Sequence, residues 1–153
     1  MTVGIVGLGL IGGSFAKAYH EAGATVLAWN RSRSVLDFAV MSGAVDGELT
    51  EENIASCDLV LIALYPEATI DWFRRMAPHI GPHPVVLDCG GTKRTICAAC
   101  FPIAKEHGVT FLGGHPMAGT QYSGFKNAKA TMYHGAPMVI VPPDFDDVLL
   151  FDR

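Results

Sequence analysis

The sequence predicts a doubly wound α/β domain with a mostly parallel sheet, on three observations. Short apolar, β-branched runs recur along the chain, as strands buried on both faces require. Stretches with helical patterning alternate with them, the order that builds crossover units. The N-terminal run passes into a glycine-rich turn that opens a helix and leads to a second strand.

Each element can be justified in turn. Residues 2–7 (Thr-Val-Gly-Ile-Val-Gly) read as a buried parallel strand, and 11–23 as an amphipathic helix stopping near Gly23. Residues 24–29 form the second strand, and a helix over 33–43 ends at Gly43. Residues 58–64 (Asp-Leu-Val-Leu-Ile-Ala-Leu) are the third strand. Pro66 opens the next helix, where its missing N–H costs nothing, and that helix is expected to run to about Ala77. A strand over 84–88, a helix over 93–107 and strands over 109–112 and 137–141 complete the pattern. After Pro142-Pro143, residues 144–153 resemble the start of a helix, with Asp144 and Asp146 as early acids ahead of Val148, Leu149, Leu150 and Phe151. That helix breaks off after little more than two turns, so the expectation is a truncated chain or a domain lacking its partner.

The 153 residues suit one domain, 1–153, large enough to bury a core. Half of them are hydrophobic and 17% are charged, which excludes a disordered chain. The net charge is −4 and no Lys/Arg run occurs, which argues against a nucleic-acid partner. No apolar stretch reaches the roughly 20 residues of a membrane span, and no leader precedes the first strand, so the expected location is cytoplasmic. Cys57, Cys89, Cys97 and Cys100 are then expected to stay reduced. Cys97 and Cys100 are spaced C-x-x-C, but no second pair or nearby His completes a metal site. They also lie inside a helix rather than at its start, where a redox thiolate would be stabilised, so they read as small apolar residues of one face. Trp72 and Phe73 read as core, and His79, His83 and His107 as solvated side chains.

The turn Gly7-Leu8-Gly9-Leu10-Ile11-Gly12 has the G-x-G-x-x-G spacing of a Rossmann-type nucleotide site. Gly7 permits the tight turn, Gly9 lets backbone approach a pyrophosphate, and Gly12 lets helix pack close on strand. The helix N-terminus then offers free N–H groups and partial positive charge to the phosphates. At the end of the second strand stands Asn30-Arg31-Ser32-Arg33, where an NAD site would carry an acid for the ribose. No carboxylate there repels a 2′-phosphate, Arg31 can pair with it and Ser32 can donate to it. The expected cofactor is NADP, with NAD second. Leu64-Tyr65-Pro66 follows the third strand and is placed to touch the nicotinamide side.

His115 follows the strand over 109–112, where ligands of an open sheet bind, and Gly113-Gly114 leave room beside it. The segment Gly113–Ala128, with His115-Pro116-Met117-Ala118-Gly119-Thr120-Gln121 inside it, resembles the HPMAG-type signature of the prephenate/arogenate dehydrogenase family. The turn Gly7–Ser14, the segment Asp88-Cys89-Gly90-Gly91-Thr92-Lys93-Arg94 and the strand Ala136–Pro142 resemble further parts of that family's nucleotide domain. The resemblance covers essentially this whole chain but only the N-terminal half of the family's architecture, which continues into a C-terminal helical dimerisation domain.

The resemblance implies NADP-linked oxidative decarboxylation of prephenate or arogenate in tyrosine biosynthesis. It makes His115 the catalytic base, a role suited to a neutral imidazole. Thr120 and Gln121 match substrate-pocket positions, and Gly91 and Thr92 stand where the family often has a Ser and its neighbour. Gly91 supplies no hydroxyl to orient His115, and Thr92 is the candidate to compensate. Gln121 replaces a frequent Glu and removes a charge. Lys93 is a candidate cofactor or substrate contact. A homodimer is implied only for the full-length enzyme, and the 153-residue chain is expected to bind NADP and turn over substrate poorly. Two other readings fit less: a β-hydroxyacid-type NADP dehydrogenase, which gives no reason for His115–Gly119, and a non-catalytic NADP-binding module.

Overall fold

The computed structural model of the chain describes residues 1–145 and 147–152. In chain order the elements are β1 (Thr2–Val6), α1 (Leu10–Glu21), β2 (Thr25–Trp29), α2 (Arg33–Met41), β3 (Gly47–Glu48), β4 (Leu59–Ile62), α3 (Pro66–Ile80), β5 (Val85–Asp88), α4 (Arg94–His107), β6 (Thr110–Pro116) and β7 (Met138–Val141). One seven-stranded sheet has the order β3-β2-β1-β4-β5-β6-β7. Every pairing is parallel except β6 with β7, which is antiparallel. The predicted doubly wound α/β fold is therefore the observed one.

Alternation along the strands builds two apolar layers. Val6, Val60, Ile62, Val86 and Phe111 face α3 and α4, where Trp72, Phe73, Met76, Ile96 and Cys100 complete one core. Val3, Ile5, Leu61, Leu87 and Leu112 face the opposite way, against Phe15 and Ala16 of α1 and Leu36 and Ala39 of α2. Burying each such large side chain contributes roughly 1.5–3 kcal/mol. Phe73 and Trp72 are core, as expected.

The chain lays β1, β2 and β3 outward to one edge, then returns to β4 on the other side of β1. A reversal of this kind opens a crevice between the loops after β1 and β4, and ligands of such sheets bind there.

Four details differ from the sequence expectation. The two-residue β3 was not anticipated. α3 continues past Pro78 to Ile80, because Pro78 sits in its last turn and the fully buried Ile80 anchors the end. β6 runs on through Gly113, Gly114 and His115 to Pro116, paired with β7 from Gly113↔Val141 to Pro116↔Met138. At the C-terminus Val148–Asp152 forms a 3-10 turn rather than an α-helix, while Asp146 and Arg153 lie outside the described residues.

All four cysteines are free and buried. Burial pushes the Cys100 thiol up to about 12, which is the opposite of redox activation. His79 and His83 are exposed but lie 3.6 Å from Glu51 and 3.1 Å from Asp58, and His107 is half-buried. No described helix is long and apolar enough to cross a membrane. Among the described residues, no group of three or more His, Cys, Asp or Glu side chains is arranged to hold a metal.

Candidate cofactor and catalytic site

The three glycines of the first turn have different physical reasons. Gly7 has φ +94°, and a Cβ there would lie 2.6 Å from the Ala63 carbonyl oxygen. A Cβ on Gly12 would lie 1.9 Å from the Gly7 carbonyl oxygen, so α1 sits on the turn at backbone contact distance. A Cβ on Gly9 would meet no protein atom within 4 Å. Nothing inside the polypeptide requires glycine at position 9; the space in front of it belongs to a cleft. Gly9 also caps α1 without a side-chain hydrogen bond, and the first turn of α1 carries no acid. The first N–H groups and their partial positive charge therefore remain available for phosphate.

That cleft has a volume of about 760 Å³. Gly7, Leu8, Gly9, Leu10 and Ile11 form its floor, Asn30, Arg31 and Ser32 one end, and Leu64, Tyr65 and Pro66 a wall. Gly90 and Gly91 line it toward β5. Most residues that the sequence nominates for the cofactor are thus brought together.

Three of them do not line it. Gly12 instead sits under the turn, against the Gly7 carbonyl. Arg33 donates to Asp37 Oδ1 at 2.9 Å and to Glu48 Oε2 at 2.6 Å, so its charge is answered on the outer side of β2. It does not line the cleft. Lys93 does not line it either: its ammonium is bonded to the carboxylate of Asp88. Asn30 lies in place but is occupied. Its Oδ1 accepts from the Leu8 N–H at 2.9 Å and its Nδ2 donates to the Ser32 carbonyl at 3.1 Å. It fastens the glycine turn to the end of β2; Arg31 and Ser32 also line the cleft, the Ser32 hydroxyl sharing a hydrogen bond with that of Ser34 at 3.0 Å.

At the other end, one buried carboxylate organises the backbone. Asp88, at the end of β5, is fully buried. Its Oδ1 accepts from the Gly90 N–H at 2.8 Å, and its Oδ2 accepts from the Gly114 N–H at 3.2 Å and from Lys93. A buried carboxylate needs such partners. These contacts tie the loop after β5 to the residue before His115. The result is a hydrogen bond between His115 Nδ1 and the Gly91 carbonyl oxygen at 3.0 Å. A carbonyl can only accept, so Nδ1 carries the hydrogen and a neutral ring presents Nε2 as a base. The backbone of Gly91, rather than the hydroxyl of Thr92, orients the imidazole. Thr92, Thr120 and Gln121 are exposed.

Sequence reasoning missed several residues of the cleft. Trp29, Asp71, Arg75, Ser123 and Gly124 line it as well. Ser123 and Gly124 arrive on a segment that crosses back over α1. Phe125 and Ala128 pack on Gly13, whose Cβ would lie 2.7 Å from the Phe125 ring. Tyr133 stacks on Phe15 at 4.0 Å between ring centroids and donates to the Ile11 carbonyl at 3.2 Å. The signal in the sequence was faint: Gly124 takes φ +85°, but it reads as one glycine among many.

The family model described as "Prephenate dehydrogenase, nucleotide-binding domain" matches residues 15–152. A prephenate dehydrogenase of Lactococcus lactis subsp. cremoris is 29% identical over 142 residues, covering 89% of this chain and 39% of that protein. The crystal structure of Synechocystis arogenate dehydrogenase is similar with a TM-score of 0.89 at 26% identity, covering 99% of this chain and 54% of that one. Prephenate dehydrogenase of A. aeolicus, solved in complex with hydroxyphenyl propionate and NAD+, has a TM-score of 0.78 at 26% identity with the same coverage of 99% and 54%. The chain thus spans 39% of the length of the curated relative and 54% of the solved ones.

Proposed function

The chain belongs to the prephenate dehydrogenase family as its nucleotide-binding domain, and from that premise we propose that it holds NADP, with NAD as second choice, for the oxidative decarboxylation of prephenate or arogenate. The observation that carries the reading is the sharing of Gly91: it lines the cleft, and its carbonyl holds the imidazole of His115.

Gly7–Gly12 and the N-terminus of α1 fit a pyrophosphate, since the open position at Gly9 is where that group would approach. Arg31 and Ser32 fit a 2′-phosphate, and Leu64, Tyr65 and Pro66 border the nicotinamide end. When bound, the oxidised nicotinamide supplies the hydride acceptor for the substrate's C4–H. His115 accepts the C4 hydroxyl proton at Nε2. The C1 carboxylate leaves as CO2, and the electron pair of the broken bond completes the aromatic ring. Aromatisation supplies the driving force, so the protein's task is alignment and proton acceptance. We assign the substrate side to Thr120, Gln121, Gly91 and Thr92, because Gly91 touches the His115 ring and the other three are exposed. Four free cysteines accord with a reducing, cytoplasmic compartment.

Titration of the chain with NADP and NAD tests the cofactor reading, and tighter binding of NAD refutes it. The exposure of Thr120 and Gln121 leaves the substrate side open, so we expect this 153-residue chain to bind NADP and turn over prephenate poorly. In a form of the protein that is active, His115→Asn lowers kcat by about 10²–10⁴-fold if His115 is the base. A loss below about tenfold removes it from that role.

A further inference from the structure

We propose that Arg75 of α3 is a second cofactor-specificity residue, closing on the 2′-phosphate opposite Arg31; this rests on the NADP reading above. Arg75 lines the same cleft as Asn30, Arg31 and Ser32, though it lies in a different helix and 44 positions beyond Arg31. Its guanidinium carbon lies 5.7 Å from the centroid of the Trp29 ring. Trp29 is the last residue of β2, directly before the Asn30–Ser32 loop. Its ring also meets the buried Trp72 at 6.4 Å, so the platform under Arg75 is anchored in the core. A guanidinium over an aromatic face is held by its plane and leaves its N–H edge free to donate.

The surrounding charges single out Arg75. Arg33 is engaged by Asp37 and Glu48, and Arg74 by Asp71 at 3.3 Å. Among the described residues, neither Arg31 nor Arg75 has a carboxylate partner. Asp71 also lines the cleft, one helical turn before Arg75, but its carboxylate is turned to Arg74. Two unneutralised guanidiniums in one cleft repel each other until an anion lies between them. A 2′-phosphate is such an anion, with acceptors on all sides for both planar forks. The ribose of NAD offers only hydroxyls at that place. Sequence reading could not reach this residue, because only the fold brings α3 against the end of β2.

The test is equilibrium binding of NADP, NAD and adenosine 2′,5′-bisphosphate to the wild-type chain and to Arg75→Ala, Arg75→Lys and Arg31→Ala. Arg75→Ala is expected to weaken NADP and the bisphosphate about tenfold, the scale of one charge-assisted hydrogen bond, and NAD by less than about twofold. Arg75→Lys is expected to retain part of the preference through its charge. The inference is overturned if Arg75→Ala weakens NAD as much as NADP, or leaves NADP binding unchanged. A wild-type chain that prefers NAD overturns the NADP reading and this inference together. A wild-type chain that prefers NADP, and loses the preference with Arg31→Ala but not with Arg75→Ala, overturns this inference alone.

Discussion

At the β1–α1 turn, a Cβ on Gly12 would lie 1.9 Å from the Gly7 carbonyl oxygen; at the β5–β6 end, a Cβ on Gly91 would meet nothing nearer than His115 Cε1, at 3.6 Å. Both glycines belong to the proposed site, yet only the first is demanded by packing. The phosphate end is shaped by the absence of side chains, with backbone pressed on backbone. The His115 end is shaped by one side chain, Asp88, which gathers two backbone N–H groups and Lys93. The first end is therefore intolerant of added atoms, and the second of a lost carboxylate.

The largest expected effect breaks the second end. Asp88→Ala removes a fully buried acceptor and orphans the Lys93 ammonium along with the N–H groups of Gly90 and Gly114. We expect a loss of about 4 kcal/mol in urea unfolding, as when one partner of a buried pair is removed. A loss below about 1 kcal/mol, typical of a surface pair, would show that Asp88 does not organise this end.

At the first end, Gly12→Ala is expected to cost about 3 kcal/mol, the upper range for overpacking, because its nearest neighbour is an unyielding carbonyl. Gly9→Ala is the contrast. Its φ of −85° suits any residue and its Cβ would have open space. Stability should change by less than about 0.5 kcal/mol. NADP binding should weaken at least about tenfold if the methyl takes the place proposed above for the pyrophosphate. Equal stability losses at the two positions would erase the distinction between a glycine kept for packing and one kept for a ligand.

The same contrast explains what was legible in the sequence. The glycine turn is local: six consecutive residues from the end of β1 into the first turn of α1 carry its geometry, and the strand, turn and helix start occur in that order. The contacts at the His115 end span the chain. Asp88 reaches Gly114 across 26 positions, and His115 meets Gly91 across 24. Arg33 and Lys93 read as cofactor contacts, yet carboxylates hold both: Asp37 four positions on and Glu48 across 15 for Arg33, Asp88 five positions back for Lys93. The residue types alone do not say whether such a cation takes the nearby acid or a ligand. The expected strand stops at Leu112, before Gly113 and Gly114, because glycine weakens strands. They are in fact strand residues under close approach, where a Cβ would lie 2.6 Å from Cys97 Sγ and 2.4 Å from the Asp88 carbonyl oxygen. β3, with two residues, is too short to carry a periodic signal.

At Gly91 a substitution is expected to change little. Family resemblance suggests a serine where Gly91 stands, which would make the glycine a defect. The geometry says otherwise. Gly91 is not in the left-handed region, and its Cβ would make only an ordinary contact with the His115 ring. The carbonyl of the same residue already receives Nδ1–H at 3.0 Å. Gly91→Ser should therefore leave stability unchanged or raise it by about 0.5 kcal/mol, through the lost freedom of the unfolded chain. In an active form of the protein it should change kcat by less than about tenfold, because the hydrogen bond that fixes the tautomer is already made by the backbone. A gain of about a hundredfold would mean that the hydroxyl does what the carbonyl cannot, and His115 would then owe its competence as a base to a side chain this protein lacks.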